Sequence, residues 1–337
     1  MTVTDVANGS PAGKKFLWLT VGIVLAAGIY SAGWFFAADQ IEKRLTTYLS
    51  EKRENGLGGE CAEMDVRGFP FRIGLFCDKL RLDDNLHGAS ASFGALRTAA
   101  QVYQPGHAVV ELDGPAEVRV SPGLSVSADW TLLHASLKAT MSGLDRTSIA
   151  YDNLTGTARW PLTGDSVGFG ASHGEIHLRQ NGDDLDAALS IEKLDLRPEQ
   201  GPSLAAPVDV AADVTIVGKA GWMQASALSE HMLRGSSGEL RHVTLDAGEG
   251  MSAKLSGPFS VNDQGLISGE FSLTMMNIDA WRASLVKVFP EETDMINNVA
   301  NMLTALAGGK NEATVRLNVR DGTAFLAFIP VGVLPPL

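Results

Sequence analysis

Residues Phe16–Ala38, FLWLTVGIVLAAGIYSAGWFFAA, carry no charge. As a helix rising about 1.5 Å per residue, the run spans about 34 Å, enough to cross a hydrocarbon core of about 30 Å. Trp18 marks one end and Trp34, Phe35 and Phe36 the other, as rings that favour the headgroup level do. Lys14 and Lys15 precede the run and Asp39 follows it. Positive charge is retained on the cytoplasmic side, so residues 1–15 read as a cytoplasmic tail and the bulk of the chain as exported. A cleaved signal peptide is the rival reading. Its apolar region usually runs about 7–15 residues before a small-x-small site. Here the run is longer, Phe36 spoils a cut at Ala38, and only a weak Ser31–Gly33 site remains. An uncleaved anchor over residues 16–38 is expected. Small residues four apart, such as Gly22 and Ala26, could form a helix-association face, but a lone anchor explains them as well.

The helix should continue outside. In DQIEKRLTTYLSEKR, Ile41, Leu45, Tyr48 and Leu49 share one face, which suits packing on the following domain. NGLGG (Asn55–Gly59) ends it, so residues 39–59 read as a juxtamembrane helix and linker. The chain of 337 residues has a net charge of −12. A surface this acidic disfavours a polyanionic partner, and nucleic-acid binding is not expected.

The only two cysteines, Cys61 and Cys77, bracket Gly68-Phe69-Pro70-Phe71. An exported domain sits in an oxidising space, where such a pair bonds. CAEMDVRG and FRIGLFC both read as strands. A hairpin turning at Gly68-Phe69-Pro70 would set Cys61 opposite Cys77, within disulfide reach. Phe69, Phe71, Ile73 and Leu75 alternate, so the hairpin should bury an aromatic-rich side. Two cysteines make no structural zinc site, and the spacing is not that of a redox C-x-x-C.

From residue 60 onward short strands follow one another. LRTAAQVY, HAVVELDG, AEVRVS, LSVSADW, LLHASLKAT, VGFGASHGEIHLRQ and LDAALSIEKLDLR are separated by turn signals such as Asn181-Gly182-Asp183. This is the pattern of an antiparallel meander. The Pro-rich stretch at 198–207 reads as a connection between a first strand-rich half, 60–197, and a second, 208–337. The second half holds VDVAADVTIVG, a helix in WMQASALSEHML, three strands, a helical pair over 278–308 and a closing hairpin at Asp321-Gly322. Ile278, Trp281, Leu285 and Val288, then Met295, Val299, Met302, Leu303 and Leu306, recur at helical spacing and read as core stripes. The expected fold is α+β, mainly β: an N-terminal transmembrane helix, then a curved antiparallel sheet with covering helices.

Motifs with chemistry do not hold up. GASHG (Gly170–Gly174) matches a nucleophile elbow, but a strand continues past it where a helix should begin. His173 and His177 would lie about 13 Å apart on a strand, too far for one ion. SIEK (Ser190–Lys193) lacks the S-D-N and K-T-G partners of its motif. No catalytic residue, metal site or cofactor is expected.

The anchor, GFPFRIGLFCDKLRL (Gly68–Leu82), AQVYQPGHAVVELDGP (Ala100–Pro115) and VRDGTAFLAFIPVGVLPPL (Val319–Leu337) together resemble an alphaproteobacterial family of membrane-anchored envelope proteins, domain of unknown function 2125. The resemblance covers nearly the whole chain and supplies no catalytic residues. More distantly, an anchor followed by strands with a G-[FY]-P-F turn is similar to the AsmA-like envelope proteins, elongated β-sheet proteins implicated in outer-membrane lipid homeostasis. The expectation is a non-enzymatic, single-pass inner-membrane protein with its bulk in the periplasm. Its expected partners are the inner membrane through residues 16–38 and phospholipid or fatty acyl chains held on the concave side of the sheet. The alternative is docking of another envelope protein, and an exported hydrolase is the least favoured reading.

Overall fold

The computed structural model describes residues 11–54, 56–120, 123–140, 143–201, 206–224 and 232–337. Most of the expected tail, the middle of the Pro-rich connection and residues 225–231 of the expected helix in WMQASALSEHML lie outside these. What is described of that helix is one 3-10 turn, Ala220–Met223.

The apolar run folds as part of a single helix α1, Pro11–Glu54, which carries the charged extension in the same rod. At about 1.5 Å per residue it is about 66 Å long. The stretch Gly13–Glu51 is long and apolar enough to cross a membrane. In the extension, Leu45 and Leu49 are half-buried, while Ile41 and Tyr48 remain exposed.

Among the described residues the strands form one open antiparallel sheet of twenty members. They run β1 Leu57–Ala62, β2 Asp65–Arg67, β3 Arg72–Cys77, β4 Lys79–Asp84, β5 Ala89–Phe93, β6 Leu96–Gln101, β7 Gln104–Leu112, β8 Ala116–Val120, β9 Leu124–Asp129 and β10 Leu132–Thr140. Three long strands follow, β11 Gly143–Trp160, β12 Asp165–Asn181 and β13 Asp184–Pro198. Next come β14 Val208–Ile216, β15 Ser237–Asp246, β16 Ser252–Val261 and β17 Ile267–Met276. Helices α2 Ile278–Val288 and α3 Thr293–Leu306 precede β18 Glu312–Arg320, β19 Thr323–Leu326 and β20 Ile329–Val333. β13 pairs directly with β14, so the strand-rich halves share one sheet.

The early strands are halves of longer ones. β1 and β2 both face the β3–β4 stretch in one register, Cys61 opposite Leu80 and Val66 opposite Leu75. β5 and β6 continue it, with Phe93 opposite Leu80 and Leu96 opposite Cys77. The two arms meet at β11, whose first part pairs with β10 and whose last part pairs with β9. A seam of interruptions thus crosses the sheet, passing through Glu63, Asn153 and Lys193, all with φ near +50°.

At this seam the alternation of apolar residues slips by one position. Ile73, Leu75 and Cys77 give way to Leu80 and Leu82; Ile149 and Tyr151 give way to Leu154; Leu189 and Ile191 give way to Leu194. A slipped phase would turn an unbroken strand's apolar residues to the opposite face. Here the Cys61–Cys77 bond joins one residue from each side of the seam. Helix α1 also packs on both β1 and β2. The interruption and the slip therefore cancel, and the apolar residues of both arms share one side.

That side is covered at its ends. Ile278, Ala300 and Leu303 of α2 and α3 bury Ala313 and Leu326, with Met275 and Val331 around them. The 3-10 turn sets Met223 on Leu185 and Ile216. Met295 and Leu306, read from the sequence as core, are exposed on α3.

Candidate functional site

The Gly68–Phe71 motif forms the turn between β2 and β3 and reaches back to α1. Gly68 adopts φ +121°, and a Cβ there would meet the Arg72 carbonyl oxygen at 2.8 Å, so only glycine fits. The turn closes through Arg72 N–H donating to the Gly68 carbonyl at 2.9 Å. Trp34 Nε1–H donates to the Arg72 carbonyl at 2.8 Å, and the Tyr30 hydroxyl donates to the Pro70 carbonyl. Phe69 stacks on Phe35 at 5.4 Å and meets Trp34 edge-on at 5.6 Å. Trp34 is buried by this contact. The expectation of a buried aromatic side needs correction: Phe69 is 45% and Phe71 69% exposed. They sit on a protruding tip rather than on the strand face, because the turn occupies both positions.

The cysteines are bonded, with Cα atoms 5.2 Å apart, but not by the expected geometry. The hairpin is centred between Pro70 and Phe71, so Leu80 lies opposite Cys61. The left-handed Glu63 interrupts the strand and brings Cys61 diagonally onto Cys77. Cys77 is buried, and the bond rivets the seam where the two arms diverge beside α1.

The apolar side is the largest chemical feature of the sheet. Between its covered ends Ile149, Ile176, Leu189, Ile191, Val243 and Leu245 come into line by register and are each half-buried. The described helices pack mainly on β1, β2 and β18, and the 3-10 turn on the hairpin ends of β11–β13. The stretch between is an apolar strip with solvent access. Tyr151 lies along it over Gly174, whose lack of a Cβ leaves room for the ring; burial pushes its phenol pKa up. Where the α1 extension meets the sheet, Leu49 packs on Gly59, the residue paired with Leu82. An apolar cavity of about 380 Å³ opens beside it, lined by Tyr48, Leu57, Val118 and Val120, which is within the range of small-ligand sites.

The opposite side is polar. Asp186, 6% exposed at its side chain, accepts from Arg179 at 2.8 Å and Arg241 at 3.0 Å, and from the Thr215 hydroxyl at 2.7 Å. Burial raises its pKa, but these donors outweigh that and hold the carboxyl below the usual range. Along β12, Glu175 sits between His173 and His177, at 3.3 and 2.9 Å. His173 also meets Asp152 at 2.6 Å, and hydrogen bonds to Asp152 and Glu175 push its pKa up. The row alternates imidazole and carboxylate, as polar neighbours do on a solvated face. Ser172 of the GASHG stretch lies within β12 and donates to the Glu192 carbonyl at 3.2 Å. Among the described residues no group of three or more metal-ligating side chains converges.

The sequence pattern signals neither the seam nor the docking of the turn on α1, and it places Trp34 at the membrane interface alone. The signal available was a Gly-Phe-Pro-Phe tip with more aromatic surface than a turn requires.

These features define a class: an open antiparallel sheet riveted to a long apolar helix, apolar on one side and charged on the other. The chain belongs to a bacterial family described as "Uncharacterized protein conserved in bacteria (DUF2125)", which it matches over residues 34–335. The match begins at Trp34, so the contact between that residue and the turn falls within the family region. No curated protein and no solved structure matches the chain.

Proposed function

We propose that this protein is a non-catalytic, single-pass component of the bacterial envelope that holds lipid acyl chains along the apolar side of its sheet. One observation carries the reading: an apolar strip across β11–β15 stays half-buried between covered ends. A soluble sheet normally closes such a strip with helices or a second sheet. An acyl chain satisfies it without polar partners, and the strip offers few. Lys14 and Lys15 before the span, together with the disulfide, support a cytoplasmic N-terminus and a periplasmic sheet. The likeness of its G-F-P-F turn to AsmA-like proteins points toward envelope lipid as well.

The test is native mass spectrometry of the full-length protein released from detergent. Bound phospholipid or fatty acid, diminished by Leu189→Glu, is the expected result. A wild-type protein that carries no lipid contradicts the reading. A second reading, docking of another envelope protein, draws on the edge strand β20, where Val333 is 77% exposed, and on Phe328 in the turn before it, 95% exposed. An edge of this kind can accept a strand from a partner.

A further inference from the structure

We propose that the β2–β3 turn and the adjacent β6–β7 turn insert into the membrane leaflet next to the sheet, as a second membrane contact beside α1. The inference rests on α1 crossing the membrane. It follows from where the turn is held. Pro70 is bonded to Tyr30 and Arg72 to Trp34. Both partners lie within the uncharged run that ends at Ala38. Tyr30 is eight residues before that end, so it sits about 12 Å along the helix from it. A tip fixed against Tyr30 shares its depth.

The chemistry of the tips fits that depth. Phe71 and Tyr103 are each 69% exposed, Phe69 45% and Val102 36%. Val102 N–H donates to the Phe71 carbonyl at 3.1 Å, which joins the two turns side by side. No charged residue occurs in 68–71 or in 98–106. Arg72, immediately above the first tip, is exposed and can reach phosphate headgroups, as interfacial basic residues do; Arg67 beside it is paired with Asp65. In water this aromatic surface would be an exposed liability; in a leaflet it is an anchor. Insertion would also present the apolar side, which begins at Ile73 and Ala100, directly to acyl chains.

The experiment uses full-length protein in nanodiscs of phosphatidylethanolamine and phosphatidylglycerol. Nitroxide labels are placed by Phe71→Cys, Tyr103→Cys, Leu25→Cys and Leu162→Cys, one at a time; the native cysteines are bonded and do not label. Power saturation compares accessibility to oxygen with accessibility to a water-soluble nickel chelate. Labels at 71 and 103 should resemble that at 25, open to oxygen and shielded from nickel, while 162 should be open to nickel. A shielded Leu25 site with nickel-accessible 71 and 103 overturns the insertion and leaves the anchor intact. A nickel-accessible Leu25 site overturns the anchor and the insertion with it.

Discussion

Trp34 couples α1 to the sheet, and its replacement has a magnitude that can be worked out from its contacts. Phenylalanine at 34 keeps a ring against Phe35 and Phe69 but removes the N–H that donates to Arg72. A neutral hydrogen bond contributes about 1 kcal/mol net, which is roughly a five-fold change in the docking equilibrium. Alanine removes the ring as well. Trp34 is 6% exposed, and loss of a buried tryptophan costs about 3–5 kcal/mol, or more than about a hundred-fold. The readout is hydrogen exchange in nanodiscs over a peptide containing Gly68–Arg72, where the Arg72 amide is bonded across the turn. Undocking is a local opening, so turn exchange should accelerate about five-fold for Trp34→Phe and about a hundred-fold or more for Trp34→Ala. Peptides from β15–β17 should be unchanged. Unaltered turn exchange in Trp34→Ala, or acceleration spread evenly over the sheet, would refute the argument that this residue holds the turn to the helix.

Cys61→Ser should destabilise the domain by about 3 kcal/mol, the value for closing a loop of this length, read as a lowered urea midpoint that reduction of the wild type reproduces. Asp186→Ala leaves two arginines that can rehydrate, so the expected loss is about 2 kcal/mol rather than that of a fully buried pair. Because the folded carboxyl titrates below its unfolded value, its contribution is present above the ordinary carboxylate range and is lost as pH falls through the folded pKa. Thermal melting of Asp186→Asn should accordingly lack part of the acid-side decline seen in wild type. Gly174→Ala places a methyl against the Tyr151 ring and should cost roughly 1–3 kcal/mol. Adding Tyr151→Ala should recover part of that loss in thermal melts, a non-additivity absent if the two do not touch.

Much of the fold was legible because antiparallel meanders announce themselves through turns. Asn181-Gly182-Asp183 and Asp321-Gly322 lie where the sequence put them, as do α2 and α3. The 18 residues of β11 were not assigned as a strand. Asp152 and Asn153 interrupt its apolar pattern midway, and its apolar positions change parity across them. Symmetry about Phe69 misplaces the hairpin centre: β2 and β3 pair about a point between Pro70 and Phe71, and β1 keeps that register past the left-handed Glu63, so the bond runs diagonally. The length of the turn and one left-handed polar residue decide this, and no periodicity carries them. The apolar strip was foreseeable in kind from alternating runs such as Leu133, Ala135 and Leu137. Its continuity from strand to strand depends on registers fixed only by the assembled sheet.

Ile176 and His177 are neighbours on β12 that point to opposite sides of the sheet. A photoreactive benzoylphenylalanine at each position, in the full-length protein in native membranes, therefore tests both sides of one strand. If the apolar side holds acyl chains, irradiation at 176 yields phospholipid adducts and irradiation at 177 does not. Protein adducts at 176, or lipid captured equally from both positions, would contradict the account.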